Sequence, residues 1–473
     1  MPLLYKLFAT MLHKRLAPKL DAQLTPEQAG FRTDFSTLDH LHTLTQLQEK
    51  TSEWQLPLWS CFIDFQKAFD CIEHDAIWSA LSKQGIEKEY IELLKRLYSD
   101  QSGQVSAVSV LSRAFPLQRG TKQGDPLSTL LFNAVLEDIF RDVRAKWKLK
   151  RYGLDMSVGI ERFLTSLSFA DDVLLVAASA KQLKVMVADL MRAAAARGLE
   201  RHIGKTKILT NASVTTTGHV PSSLQIDGRE FAVLGLDDST KYLGRKVCYE
   251  DPHGCEFNNR VAAAWGAFSK HKQELTDRRH KLRDRLRLFD AVVTSTLLYG
   301  CESWTLRVDQ QRRLKTVQRK MVRMILNAKR RVLADSTSSE TGSSNGVEED
   351  GSSADLEPWQ EFLERTAHWA DEQLDNAGVN QWVTQWRRRK WKWAAKLMDV
   401  GNHKWSAAAT TWQPLLHSST PCGRRQARPR KRWSQDFEEY LAHAMPHENA
   451  QWYEIAKDGT RWLAMGDDFA MFE

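Results

Sequence analysis

The stretch SLSFADDVLLV, Ser166 to Val176, places two adjacent carboxylates, Asp171 and Asp172, inside an apolar, partly β-branched run. Isolated charges are costly to bury unless something pairs with them, so the run constrains both the local fold and the chemistry around it. FLTSLSFADDVLLVAA reads as two short strands with the aspartates at their connection, and 181–198 as a following helix closed by Gly198. A simple Asp-Asp hairpin turn satisfies the same pattern.

A second acid site changes the weighing. CFIDFQKAFD, Cys61 to Asp70, sets Asp64 at the end of another apolar strand, with a further Asp six residues on. If the two strands are neighbours, Asp64 and Asp171 face each other, and like charges that close need cations to remain ionised. Two Mg2+ ions, with Mn2+ as the substitute, roughly 3.5 to 4 Å apart can activate an attacking hydroxyl and neutralise a leaving pyrophosphate. Between the two sites RGTKQGDPLS, 119–128, forms a polar Gly-containing loop before an apolar helix over 128–141. A well-capped loop alone explains it. The order of strand with Asp, QG loop with helix and strand with paired Asp is specific only as a set, and that set points to nucleotidyl transfer.

At 473 residues the chain exceeds one ordinary core, and two or three domains are expected. A net charge of +8 favours a polyanionic partner. No run of about 18 uncharged apolar residues occurs, so neither a membrane span nor a secretory signal is read, and an intracellular protein of nucleus or cytoplasm is expected. The six cysteines lack a CxxC pair, which argues for reduced thiols. Leu4, Leu7, Phe8, Met11 and Leu12 predict an amphipathic helix ending near Pro18. WSCFIDF predicts a buried strand, His74 to Lys83 and Lys88 to Tyr98 predict helices, and Gln104 to Leu111 predicts a half-exposed strand. An α/β sheet with helices on one face fits best, followed by basic helices over 261–330. Residues 334–358 are Ser-, Gly- and acid-rich and read as a disordered linker.

Beyond it lie eleven of the 17 tryptophans, interleaved with Arg and Lys. Trp382, Trp386 and Trp393 share a helical face, which predicts a packed aromatic stripe rather than base-stacking platforms. Arg387, Arg388, Arg389 and Lys390, and Arg428, Arg430, Lys431 and Arg432 in RRQARPRKRW, are dense enough to contact phosphates. A solvated face or a nuclear-import signal accounts for the same runs.

In order along the chain, EQAGFR (27–32), FIDFQKAFD (62–70), QGDPLS (123–128), FADD (169–172), GKTK (204–207), KYLG (241–244) and LLYGCESW (297–304) resemble the reverse transcriptases of non-long-terminal-repeat retrotransposons. The resemblance covers roughly residues 1–330. It implies an α/β (α+β) right-hand polymerase with fingers, an antiparallel palm and a helical thumb, divided as partial fingers over 1–60, a palm and fingers core over 61–245, a thumb over 246–333, the linker, and a mostly helical C-terminal region over 359–473. It implies RNA-directed DNA polymerisation with an RNA template, a DNA primer and dNTP. Asp64 and Asp171 then look like the main metal ligands, with Asp172 as the third carboxylate. Phe69 resembles the bulky residue under the incoming sugar that excludes a 2′-hydroxyl. Gln123 and Gly124 resemble the nucleotide and template pocket, and Lys205 the lysine that protonates pyrophosphate. Tyr242, Leu243 and Gly244 resemble the primer grip, although a tight turn with Gly244 at positive φ is equally compatible.

The chain departs from the family where it starts after the usual Arg-Pro fingers segment, where no N-terminal endonuclease appears, and where His202 replaces the usual Asn. An N-terminally truncated element is expected, with Arg32 or Arg119 as triphosphate contacts. A non-catalytic nucleic-acid-binding remnant is the competing reading, and an RNA-dependent RNA polymerase a third. Phe69 argues against the last.

Overall fold

Trp59–Ile63 (β1) is buried along its whole length, which explains its continuous apolar text. In the computed structural model it lies inside a six-stranded sheet with β2 (Ser166–Phe169), β3 (Asp172–Ala177), β4 (Lys207–Thr210), β5 (Ser223–Ile226) and β6 (Arg229–Leu234). The order is β5-β6-β4-β1-β3-β2, antiparallel except for the β4-β6 pair. The structure describes residues 2–107, 110–157, 161–202, 204–212, 220–333, 356–399, 401–414, 430–448 and 451–472. The 334–358 linker lies outside them except for its last three residues.

Side-chain alternation divides β1 between two cores. Cys61 and Ile63 join a cluster with α1 (Leu3–Asp21), α3 (His74–Lys83), α4 (Lys88–Tyr98), α5 (Pro126–Leu149) and α6 (Ala180–Ala195). Ser60 and Phe62 point the other way, to Tyr249 and Tyr242. Helices α3 and α4 occupy the spans their 3.6-residue periodicity predicts. Helix α5 begins two residues earlier than expected because Asp125 caps it, accepting from Leu127 N at 3.0 Å, and Pro126 opens its first turn; it also runs eight residues further, to Leu149, burying Val143 and Trp147. Helix α1 differs more: it runs through Pro18 and buries Ala9, Leu12, Leu16 and Leu20, leaving Leu4, Leu7 and Met11 exposed. The expected Gln104–Leu111 strand is broken into two-residue ribbons with exposed side chains. The five described cysteines are free thiols, and Cys422 lies outside the described residues. Among the described residues no helix is long and apolar enough to cross a membrane.

The chain forms two compact units, Met1–Glu256 with Ala394–Gly459 and Phe257–Trp393 with Thr460–Glu473. The C-terminal region, read from sequence as one piece, is thus shared between them. In the first unit α2 (Thr37–Glu53) is buried on nearly every side despite the polar text DHLHTLTQLQ. Its polar groups are matched to the C-terminal segment. Lys50 Nζ donates to the carbonyls of Ala409, Thr410 and Trp412 at 2.6–2.7 Å, and Ser406 Oγ bonds Asp39 Oδ1 at 3.0 Å. His42 meets Thr410 Oγ1 at 2.8 Å and the Trp433 ring edge-on at 4.6 Å. Bonding of this kind makes burial of polar groups tolerable, although His40 Nε2 and Gln46 Nε2 on the same helix find no hydrogen-bond partner among the described residues.

The second unit collects helical segments, among them 257–270, the basic α7 (Val308–Leu326), the acidic α8 (Trp359–Ala377) and the part of α9 (Trp382–Met398) up to Trp393, around Phe257, Phe268, Phe289 and Trp304. Trp382 and Trp386 are buried there, as the shared face predicts, and their indole N–H groups donate to Thr294 Oγ1 and Cys301 O. Trp391 and Trp462 stack at 3.7 Å and exchange N–H to carbonyl bonds at 2.7 and 2.9 Å.

If the C-terminal segment completes the first unit, Trp433→Ala costs about 3–5 kcal/mol of its stability, read in denaturant melts of the full chain.

Candidate active site

Ile63 pairs with Val173, so extending the antiparallel register by one residue sets Asp64 opposite Asp172. Phe169 pairs with Asp172, leaving Ala170 and Asp171 as the turn between β2 and β3. The sequence reading paired Asp64 with Asp171. The ladder instead puts Asp172 across from Asp64, with Asp171 one residue further, because the two-residue turn falls before the second aspartate.

The three acids sense one another. Burial, then the charges of Asp171 and Asp64, push the Asp172 carboxyl up to about 6, with Lys205 opposing. Asp171 is raised by burial first and then by Asp64, against a backbone hydrogen bond and Lys205. Lys205 Nζ lies 3.5 Å from Asp64 Oδ2. Its loop is sewn to the end of β1 by His202 N, which donates to Asp64 O at 2.7 Å. Asp64, Asp172, Gly204, Lys205 and Tyr242 line one cavity of about 310 Å³.

Among the described residues no three acid, His or Cys side chains form a ready-made metal cage. The donor set nevertheless suits a hard cation, since it is all carboxylate oxygen and its like charges raise two of the three protonation equilibria. Mg2+ is ordinarily held by one or two carboxylates, with substrate phosphates and water completing its octahedron.

What holds the Asp171 turn is the EQAGFR segment, quoted from sequence without a role. Gln28 Oε1 accepts from Gly30 N at 2.8 Å and from Ala170 N at 3.0 Å. Ser168 exchanges backbone bonds with Glu27 and Ala29. A Cβ on Gly30 would fall 2.2 Å from Ala170 N, so only glycine lets the two backbones approach. Asn133 Nδ2 on α5 closes the clamp by donating to Gly30 O at 2.7 Å. Ala170 itself is held at φ +54°, an uncommon conformation for a residue with a side chain.

Phe69 stacks on Phe132 at 4.4 Å and meets Phe31 edge-on at 6.4 Å. Phe31 is exposed with φ +58°, a strained aromatic beside the residue read as the sugar gate. The 119–125 loop is bound to the same segment, with Thr121 N on Phe69 O and Gly120 N on Ile72 O, both at 2.7 Å. Gln123 is exposed near Asp70, and Gly124 has φ +78°. Arg32 is spent on the fold, bonded to Asp21 and to the carbonyls of Thr25 and Gln28, whereas Arg119 is exposed. Leu243 and Gly244 both have positive φ, +47° and +74°, the signature of a two-residue type I′ hairpin. Tyr242 packs edge-on against Phe62, and its hydroxyl lies 3.4 Å from buried His40 Nδ1.

The basic runs of the C-terminal region differ in their surroundings. Lys390 is 0% exposed, with its ammonium 5.4 Å from the Trp386 ring, and cannot reach a phosphate in solvent. Arg387 donates to Gln311, Arg388 to Asp467 and Asn380, and Arg389 to Leu298 O. Lys431 pairs with Asp436 at 2.5 Å and Arg432 forks onto Glu53. Arg430 is exposed, and Arg428 lies outside the described residues. The sequence shows the charge density but not the acids that fold against it.

Two variants read the site without an activity assay. Gly30→Ala destabilises the first unit by about 1–3 kcal/mol through the forced shift at Ala170. Asp172→Asn in metal-free buffer at pH 7 has the opposite sign. The raised carboxyl is ionised there at a cost the unfolded chain does not bear, so neutralising it raises Tm, by on the order of 1–3 °C for this partly exposed group.

The model of the family described as "Reverse transcriptase (RNA-dependent DNA polymerase)" matches residues 1–247. An uncharacterized transposon-derived protein of Caenorhabditis elegans is 27% identical over 312 residues, 64% of this chain and 95% of that one. The Pol polyprotein of a type-1 retrotransposable element R2 from Popillia japonica is 28% identical over 242 residues, and that of R2DM from Drosophila melanogaster 27% over 241. Those matches take in 50% and 49% of this chain but 33% and 22% of the polyproteins, so the chain spans a third or less of their length. Among solved structures, apo telomerase from Candida tropicalis aligns over 67% of this chain and 54% of its own at 12% identity, with a TM-score of 0.38. With its family model spanning more than half of its residues, the chain belongs to the reverse transcriptase (RNA-dependent DNA polymerase) family, as its resemblance to non-long-terminal-repeat retrotransposon enzymes predicts.

Proposed function

We propose that this chain extends a DNA primer on an RNA template by two-metal nucleotidyl transfer from dNTP. The observation that carries the reading is the meeting of Asp64 and Asp172 across adjacent strands, with Asp171 beside them and Lys205 on the same cavity wall. Asp64, Asp171 and Asp172 would hold two Mg2+ ions. When bound, these ions lower the pKa of the primer 3′-hydroxyl and neutralise charge on the triphosphate.

In the reaction the 3′-hydroxyl gives up its proton to water, its oxygen attacks the α-phosphorus, the bond from that phosphorus to the bridging oxygen breaks, and pyrophosphate leaves. Lys205, which lines the same cavity, would give that leaving group a proton. The ion pair that Lys205 makes with Asp64 is one that an incoming triphosphate would compete for. Phe69, backed by Phe132 and flanked by Phe31, supports selection against a 2′-hydroxyl by contact alone, since a phenyl ring offers no hydrogen bond. Gln123 and Gly124 lie on the loop bound to the Phe69 segment, in keeping with a nucleotide and template pocket. Tyr242, Leu243 and Gly244 form a rigid hairpin at the cavity edge that suits a primer grip. Arg119, exposed at the start of that loop, is assigned to phosphate contact, as is Arg430 in the tail.

Primer extension by the full chain on an RNA template with dNTPs and Mg2+ tests the reading. Asp171→Asn should lower the rate on the order of 10³-fold by removing several kcal/mol of charge stabilisation. Folded wild type that binds template but never extends a primer would overturn it in favour of a non-catalytic binding remnant. Phe69→Ala should narrow the preference for dNTP over rNTP on the order of tenfold to a hundredfold, read as a ratio of kcat/KM values. Wild-type use of rNTP at parity would instead favour an RNA polymerase.

A further inference from the structure

The second unit carries a cavity that the polymerase reading does not use. It has a volume of about 710 Å³ and lies between the ends of α7 and α8, within the range of ligand-binding clefts, roughly 300–1,000 Å³. Lys272, Arg278, Lys320 and Arg323 line it, and no carboxylate does. Trp359 forms its aromatic rim, 60% exposed and tilted against Phe362 at 5.2 Å.

Among the described residues none of the four cations is in an ion pair. The nearby acid is already taken, since Asp371 is forked by Arg319 at 3.1 and 2.5 Å. Burial and the neighbouring Arg319 charge depress the Arg323 guanidinium, which sits half-buried beside a like charge with no ion-pair partner among the described residues. Lys320 only faces the Trp265 ring, at 5.5 Å. The C-terminal dipole of α7 makes cations tolerable in its last turns. It does not account for Arg278 and Lys272 converging from other segments, nor for a large indole left in solvent beside them.

Uncompensated cations in a groove with an exposed aromatic plane are what a single strand requires, with phosphates along the charges and a base on the ring. We infer that this groove binds an unpaired stretch of nucleic acid, with Lys320 and Arg323 on consecutive phosphates and Trp359 stacked on a base. The site goes beyond the polymerase reading and does not depend on catalysis.

The test uses the full chain and a fluorescein-labelled, unpaired 12-nucleotide RNA, with anisotropy followed across a salt series and 4-thiouridine crosslinks mapped by mass spectrometry. Lys320→Gln with Arg323→Gln should reduce the slope of log affinity against log salt by about 1.4, two phosphate contacts for a single strand. Trp359→Ala should weaken binding on the order of tenfold and leave the salt slope unchanged. Crosslinks should fall within 320–328 or 359–363. The inference is overturned by variants with wild-type melting that keep both affinity and slope, by crosslinks confined elsewhere, or by polyglutamate displacing the RNA at equal charge concentration, which would make the groove an acidic-peptide site. A wild-type chain that extends a primer but does not bind the 12-nucleotide RNA sinks the groove alone. Extension absent with binding intact, also in Asp171→Asn, sinks the polymerase reading alone.

Discussion

The antiparallel ladder between β1 and β3 is the constraint on which the rest of the first unit depends. It places acids from distant parts of the chain at one sheet end, where burial and mutual repulsion push Asp171 and Asp172 toward the protonated form. A sheet that ends in like charges is a poor arrangement for stability alone. The surrounding structure compensates with apolar packing on both faces of β1 and with a backbone clamp over the turn.

That clamp joins the N-terminal segment to the turn between β2 and β3 of the six-stranded sheet. Gln28 and Gly30 on one side and Asn133 on the other fix Ala170 in a conformation it would not choose, and the register of Asp172 follows. Helix α5 supplies both Asn133 to the clamp and Phe132 to the support of Phe69. The carboxylates and the residue read as the sugar gate therefore share one rigid element, a useful property where a nucleotide must be held within a fraction of an ångström.

The C-terminal region has a different logic from the one its composition suggests. Most of its tryptophans are core residues, Trp359 being exposed, and most of its described basic residues are spent on Asp, Glu, Gln and carbonyl groups. The residues over 394–459 complete the first unit by covering α2, a helix too polar to be recognised as a core element. The cations left without partners are found elsewhere, beside Trp359. Charge density along a sequence and available charge on a surface are separate properties, because only folding decides which side chains meet an acid.

The sequence by itself determined the elements whose information is local or repetitive. These are the buried β1 strand, the hairpin carrying the aspartates, the periodic helices His74–Lys83 and Lys88–Tyr98, the tight turn at Gly244 and the ordered motifs that carry the family. It also contained Asp64, Asp171, Asp172, Lys205 and Tyr242 as separate short stretches. Tertiary structure alone decided that Asp172 faces Asp64, that Gly30 must be bare for the turn to close, that Phe132 backs Phe69, that α2 is interior, and that Lys390 is buried. Each of these rests on a contact between residues far apart in the chain, and neither periodicity nor composition encodes which distant surface a side chain will meet.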